Sequence, residues 1–347
     1  MPDSIFTNPG IPRDRWDRPQ IFPPPPRGKT HADVVEKYTS QNKTPPSYRR
    51  TTRFISVLED RYELEMWSQR MVALGLGQRP DLVVSAASLT ADREDKKALN
   101  NVAAQAKEHA RSSSKATTGT ALHKFCERLD MGQPVGSVPA PYDRDLEAYE
   151  AARNRYGLRY TAIEQMRVFD PWKVAGTPDR IVEFNGKRYI CDIKTGNVDF
   201  DNTQREIAMQ MAMYARSVGY THERGREEDV PAVDQMRAII IHLPAGHARC
   251  ELHWVDLKTG WGACELAQRI WEHRATKGTF RPIEGFEPAN HLEANSFRLT
   301  YAETAMQAAT IEALREVWTA AAKSGALTDE VKAACEKRRA ELTGATA

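Results

Sequence analysis

Two aspartates and a lysine fall at spacings that a β-hairpin brings together. The stretch from Ala175 to Lys194 contains Gly176-Thr177-Pro178-Asp179, then Asn185-Gly186, then Asp192-Ile193-Lys194. Asn-Gly between two runs rich in β-branched and aromatic residues is the strongest short signal for a two-residue type I′ turn. Such a turn fixes register. Phe184 then faces Lys187, and counting outward along both strands sets Asp179 opposite Asp192. Their Cβ atoms would lie about 5 Å apart on one face. Facing carboxylates repel, so either one stays protonated or a cation compensates them. Mg2+ suits that place, because it takes oxygen ligands and is held by one or two carboxylates with water and phosphate. Lys194 follows Asp192 by two and shares its strand face. An amine beside a metal and a phosphate can orient an attacking water or stabilise developing negative charge. The alternating positions Tyr189, Cys191 and Ile193 suit a core. A bare Asp-x-Lys on an exposed hairpin would make surface ion pairs only, and it is the facing second aspartate that favours chemistry.

The elements around this hairpin follow from periodicity. Residues 1 to 47 hold half of the chain's prolines, including Pro23 to Pro26. With no apolar period they read as an extended or disordered arm, mildly basic through Arg13, Arg15, Arg18, Arg27 and Lys29. Phe54, Leu58, Tyr62, Met66 and Trp67 give a helical pattern from Thr51 to Leu76. Further helices are predicted over Lys96–Ala110, Thr118–Asp130 and Asp143–Tyr156. Then the pattern changes. Tyr160–Phe169, Val174–Phe184 and Lys187–Ile193 read as strands, Thr203–Val218 as a helix, Gln235–Leu243 and Arg249–Asp256 as strands, and Lys258–Lys277 as a helix. This order predicts an α/β (mixed α+β) core with a mixed central sheet flanked by helices, rather than a doubly wound fold. Beyond residue 285, Ala302–Lys323 and Thr328–Leu342 suggest a C-terminal helical hairpin joined at Ser324-Gly325.

The residues now resemble a known family. Gly176-Thr177-Pro178-Asp179 followed by Asp192-Ile193-Lys194 resembles the signature of the PD-(D/E)XK nucleases, and looks closest to the RecB-type and phage recombination exonuclease branch. Gly119-Thr120-Ala121-Leu122-His123 resembles that branch's first motif, a helix with a metal-binding histidine. Glu164 resembles the acid on the first strand, and Gln210 to Tyr214 the Gln-x-x-x-Tyr motif. The likeness covers roughly residues 50 to 277. It implies a restriction-endonuclease-like core, a DNA substrate, metal-holding positions His123, Asp179, Asp192 and Ile193, and active-site roles for Glu164, Lys194, Gln210 and Tyr214. Domain organisation follows: an arm over 1–47, a nuclease domain over 48–284 (helical to 158, then the catalytic sheet core), and a helical tail over 285–347. The physics of these positions is compatible. His123 and Glu127 are one turn apart on one helix face, as are Gln210 and Tyr214. Met209, Met211 and Met213 suit core packing.

Composition adds limits. Net charge is +2, so overall polarity does not announce a nucleic-acid binder. Charge is nevertheless unevenly placed. Six basic residues stand against Glu108 alone between Lys96 and Lys124, with serines and threonines interleaved. Lys107, Arg111, Ser113, Lys115, Thr118 and Thr120 are the candidate DNA-backbone contacts, since amines, guanidiniums and hydroxyls all bind phosphate oxygens. A solvated helix followed by a polar loop would show the same residues. No apolar run reaches the roughly 18 residues of a membrane span, and the N-terminus lacks a signal-peptide core, so a cytoplasmic location is expected. Cys126, Cys191, Cys250, Cys264 and Cys335 show no metal-binding spacing, which predicts reduced thiols and no iron–sulfur cluster. Without a Gly-x-x-x-x-Gly-Lys-[Ser/Thr] run, no ATP use is expected. His242, His247, Cys250 and His253 crowd the second hairpin and suit zinc by type. Their spacing matches no familiar finger, and Pro244 and Gly246 suit a simple turn.

These expectations combine into a Mg2+-dependent DNA exonuclease, with Mn2+ able to substitute, in phage or bacterial recombination, repair or replication. A recombination or single-strand-binding protein is an expected partner. A structure-specific endonuclease and a catalytically silent DNA-binding or packaging module on the same scaffold are the alternatives.

Overall fold

The computed structural model describes residues 10–89, 95–110, 114–196, 200–280 and 300–344. The chain divides into two compact units, Met1–Thr276 and Lys277–Ala347.

The first unit opens with α1 (His31–Ser40), β1 (Arg49–Arg50), α2 (Thr51–Ile55), α3 (Tyr62–Gln78), α4 (Pro80–Ala87) and α5 (Lys96–His109). Next come α6 (Ser114–Asp130), α7 (Tyr142–Tyr156), β2 (Arg159–Ile163), β3 (Arg167–Phe169), β4 (Val174–Gly176), β5 (Arg180–Phe184) and β6 (Lys187–Lys194). It ends with α8 (Phe200–Arg216), β7 (Val218–Thr221), β8 (Gly225–Glu227), β9 (Arg237–His242), β10 (Glu251–Asp256) and α9 (Leu257–Ala275). Two mixed sheets result, with strand orders β10-β9-β6-β5-β2 and β1-β4-β3-β7-β8. In the first, β6 and β9 run parallel and the other neighbours antiparallel. The mixed α/β class expected from the sequence is the one observed.

The first sheet is covered on both faces, which explains why β6 is buried without a break from Tyr189 to Ile193. Tyr189, Cys191 and Ile193 pack with Ile239 and Ile241 against Leu122 and Cys126 of α6 and Leu146 and Tyr149 of α7. On the opposite face, Ile181, Ile190, Ala238 and Ile240 pack against Ile207, Met211, Tyr214 and Ala215 of α8. Burying one such aliphatic side chain contributes about 1.5–3 kcal/mol. Asp192 projects into the face under α8, where it is 4% exposed. A carboxylate there needs a specific partner to offset its desolvation.

Several expected elements prove to be broken, each for a local reason. The run Tyr160–Phe169 becomes β2 and β3, in different sheets, and Val174–Phe184 becomes β4 and β5, also in different sheets. At the first break Glu164 has φ of 50°, outside the β region. At the second, Pro178 has no N–H to donate to a ladder. The helical pattern from Thr51 splits, with Asp60 accepting a hydrogen bond from the Tyr62 N–H at 3.0 Å to start α3 afresh.

The expected arm also differs from the structure from residue 10 onward. Ile11, Ile21 and Tyr48 are buried with Val168, Ala175 and Tyr220 on the second sheet. The Ile21 N–H donates to the Pro46 carbonyl at 3.0 Å. The Phe22 N–H donates to the Tyr220 hydroxyl, also at 3.0 Å. These apolar residues have no apolar partner at strand or helix spacing among the prolines, so no period reveals them. Their partners on the second sheet lie more than a hundred residues away.

The second unit carries α10 (Tyr301–Gln307), α11 (Ile311–Lys323) and α12 (Asp329–Thr343) around Ala305, Leu314, Ala321, Val331 and Cys335. Among the described residues the expected hairpin is thus three helices. The first helix stops before Thr310, whose hydroxyl caps the next by accepting from the Ala313 N–H at 3.1 Å. No helix among the described residues is long and apolar enough to cross a membrane.

Candidate active site

The Asn185-Gly186 turn sets the register expected from the sequence, with both residues at positive φ. Phe184 pairs with Lys187, and the ladder runs back to Arg180 opposite Cys191. Asp179 lies one step beyond, where the chain leaves the second sheet and enters the first. Freed from the ladder, its carboxylate turns onto β6, and Oδ2 accepts the Ile193 N–H at 2.7 Å. Ile193 itself is core, with its side chain buried. Only its carbonyl could serve a cation.

Glu164 occupies the corresponding place on the other crossing, between β2 and β3. Its N–H donates to the Asp179 carbonyl at 3.0 Å. Burial, joined by repulsion from Asp179, pushes its carboxyl up to about 8, against the opposing pull of Arg180. Asp192 is also raised, first by burial and then by Asp179. Asp179 is buried too, yet His123 and the Ile193 N–H outweigh that and hold it below the ordinary value. His123 Nδ1 lies 3.4 Å from Asp179 Oδ2. Burial lowers the imidazole, but Asp179 and Asp192 dominate and raise it. Three carboxyl groups and an imidazole thus share one small region with too little positive charge. By type these are donors that a hard divalent ion accepts, with imidazole the least typical, although no three of their ligand atoms lie within 4.8 Å of one another.

Lys194 supplies one cation, its Nζ 2.7 Å from Asp192 Oδ2. Burial lowers its pKa, but Asp192 and Asp179 outweigh that and raise it, so the amine stays charged. Gln210 and Tyr214 lie one turn apart on α8, with Gln210 Nε2 donating to the Tyr214 hydroxyl at 3.0 Å. Tyr214 is fully packed. Gly176 makes room for it: a Cβ there would sit 2.7 Å from the Tyr214 ring and 2.5 Å from Thr51 Oγ1. The methionines Met209, Met211 and Met213 are buried.

Sequence reasoning missed the scaffold behind these groups. Arg180, next to Asp179, is buried. Its Nε donates to Asp130 Oδ2 at 2.8 Å and its Nη1 to the Asp179 carbonyl at 2.7 Å. Asp130 also accepts from the Tyr149 hydroxyl at 2.7 Å and from Arg153 at 3.2 Å. Asp130 ends α6, two helical turns beyond His123 on the same face. The buried pair therefore locks the helix that carries His123 to the strand that begins at Asp179. Gly119 of α6 lets the same helix approach β6, since a Cβ there would lie 2.7 Å from Thr195 Oγ1. An arginine alternating with apolar residues along a strand was the available sequence signal.

The candidate backbone contacts are only partly placed. Lys107 lies on α5, with its Nζ 6.0 Å from the centre of the Trp67 ring, and Thr118 and Thr120 lie on α6. Arg111, Ser113 and the side chain of Lys115 are outside the described residues.

The second hairpin gathers its ligand-type residues differently from the sequence grouping. Ligand atoms of His242, Glu251 and His253 lie within 4.8 Å of one another, the one such group of three among the described residues. His247 is exposed on the turn. The five cysteines are free thiols.

Among known proteins, residues 97–337 match the PD-(D/E)XK nuclease superfamily. No curated protein matches the chain. The crystal structure of SSO0001 is 16% identical, over 45% of this chain and 80% of its own, at a TM-score of 0.23, too low to carry an argument. The matched family segment contains His123, Glu164, Asp179, Asp192 and Lys194. It spans well over half of the molecule, and the chain belongs to the PD-(D/E)XK nuclease superfamily, whose members are metal-dependent nucleases acting on nucleic acid.

Proposed function

We propose that this protein is a Mg2+-dependent DNA exonuclease, serving recombination or repair of bacterial or phage DNA. The observation that carries the reading is the placement of Asp179 at the mouth of β5 beside Asp192 and Lys194 on β6, joined through the Ile193 N–H at 2.7 Å. Asp179 and Asp192 hold the ion, with the Ile193 carbonyl, Glu164 and His123 completing or supporting its surroundings. Mg2+ there would lower the pKa of a water and neutralise phosphate charge.

The chain's own groups have distinct tasks. Lys194, kept charged by its carboxylate neighbours, suits stabilisation of the phosphate oxygens rather than proton removal. Gln210 orients Tyr214 and the wall of α8 against the site. Lys107, Arg111, Ser113, Lys115, Thr118 and Thr120 track the DNA backbone without reading its sequence. A second cleft, of about 750 Å3, is lined by Arg18, Arg50, Arg53 and Arg61 with Glu59 and Trp16. Arg18, Arg50 and Arg61 are paired there with Asp14, Asp17 and Glu59, and Arg15 and Arg18 lie over the Trp16 ring, so phosphate would have to compete for these guanidiniums.

End-labelled linear duplex, linear single strands and covalently closed circles, each with Mg2+, test the reading. Digestion of linear DNA alone is expected. Cleavage of closed circles would replace it with an endonuclease, and binding without cleavage would leave a DNA-binding module.

A further inference from the structure

The β9–β10 hairpin carries metal-ligating side chains that the nuclease reading does not use. Register explains their convergence. Glu251 pairs directly with His242 across the antiparallel ladder. His253, two residues along β10, shares the sheet face of Glu251. His253 Nε2 lies 3.5 Å from Glu251 Oε2, and the two imidazole centroids are 6.2 Å apart. His242 is buried while the other two are half-exposed, so the group opens to solvent along the edge strand.

The frame around the group is fixed. Asp145 of α7 accepts from the N–H groups of Gly246 at 2.6 Å and Ala248 at 2.7 Å, which pins the turn. The Leu243 N–H donates to the Lys194 carbonyl at 2.9 Å. His242 Nε2 lies 3.2 Å from the Gly196 carbonyl. Donation to that carbonyl makes Nδ1 the lone-pair nitrogen of the ring. Metal-ligating histidines are commonly held this way, one nitrogen on a carbonyl and the other on the ion.

We propose that His242, Glu251 and His253 form a binding site for a divalent transition metal of the Zn2+ type, separate from the acidic site at Asp179 and Asp192. Two imidazoles and one carboxylate are a zinc donor set. Imidazole favours Zn2+ over Mg2+, so the two sites select different ions. Three protein ligands leave the fourth tetrahedral position to water. The ion ties the edge strand β10 to β9, whose His242 lies beside Lys194 in the parallel register.

The test uses the full-length protein, stripped with a chelator and dialysed against about 10 µM free Zn2+ with Mg2+ in excess. Bound zinc is then counted by mass spectrometry of the metal. The wild type is expected to retain one equivalent more than His253→Ala, and Glu251→Gln to bind at least about tenfold more weakly. Co2+ should give visible absorption bands of a four-coordinate site in the wild type and in Asp192→Asn, and lose them in His253→Ala. Both altered hairpin residues are half-exposed, and circular dichroism of the metal-free variants verifies the fold. Equal zinc content and equal Co2+ spectra in wild type and His253→Ala would overturn the proposal. That outcome is independent of whether DNA is cleaved.

Discussion

The Glu164 N–H donates to the Asp179 carbonyl at 3.0 Å, which stitches together the two segments that pass between the sheets. Both acids stand where strand pairing lapses. Their side chains are therefore released from the alternation of a ladder, and each crossing holds the other in place. The cost is carboxyl groups crowded in a buried place, and that cost makes the site sensitive to protons.

Glu164 gives the clearest pH dependence. Burial and Asp179 push it from an ordinary 4.5 up to about 8. Between these values the folded state binds more protons than the unfolded one, so stability falls as pH rises. The contribution is complete below the unfolded value and lost once the folded group ionises. Asp192 and His123 are raised as well and act in the same direction. Thermal melts of the metal-free protein from pH 5 to pH 9 should show Tm falling, with Mg2+ offsetting much of the fall at the alkaline end. Glu164→Gln should flatten the slope. A wild-type slope unchanged in that variant would remove Glu164 as its source.

Lys194→Gln should lower kcat by about 100-fold or more while KM changes little, because the amine acts on charge that grows in the transition state. The raised pKa of Lys194 also predicts no loss of activity from its deprotonation near neutral pH. Steady-state kinetics on linear DNA from pH 7 to pH 9 measure both. A purely KM-based defect would assign the residue to substrate binding.

The buried Asp130–Arg180 pair should be costly to break singly. Asp130→Asn leaves the buried Arg180 guanidinium without its carboxylate and should destabilise the protein by about 3–5 kcal/mol. Arg180→Met leaves Asp130 still paired with Arg153 at 3.2 Å and should cost less. The double variant should recover part of the first loss, since no lone charge remains. Urea denaturation reads all three. Additive losses would mean that the pair is not coupled.

Gly176→Ala should be worse than Tyr214→Phe. The added methyl would lie 2.5 Å from Thr51 Oγ1 and 2.7 Å from the Tyr214 ring, an overpacking that costs about 1–3 kcal/mol. Losing the phenol removes the hydrogen bond from Gln210, worth about 0.5–1.5 kcal/mol. Denaturation midpoints of the two variants give the order directly.

Local rules made the central hairpin legible. Asn185-Gly186 sets its register, and the alternation along β6 separates Cys191 and Ile193 from Asp192 and Lys194. The resemblance pointed to Glu164, His123, Gln210 and Tyr214, which periodicity alone does not single out. What the sequence concealed depends on distance along the chain. Arg180 meets Asp130 fifty residues away, and no local pattern announces a buried ion pair. The strands of the second sheet are two to four residues long, too short for alternation to show. Ile11, Ile21 and Phe22 each lack an apolar neighbour at strand or helix spacing, so a packed segment looked like an arm. At the second hairpin the histidines were visible, but Glu251 joined them only through the cross-strand register.

The most direct test of the account is the rate of cleavage of end-labelled linear duplex DNA by the wild type and by Asp192→Asn, each with Mg2+ and with EDTA. The account predicts cleavage by the wild type that stops in EDTA, and a rate at least about 1,000-fold lower in the variant, equivalent to about 4 kcal/mol of barrier, with DNA binding retained. Cleavage at the wild-type rate by Asp192→Asn, or cleavage that continues in EDTA, would contradict it.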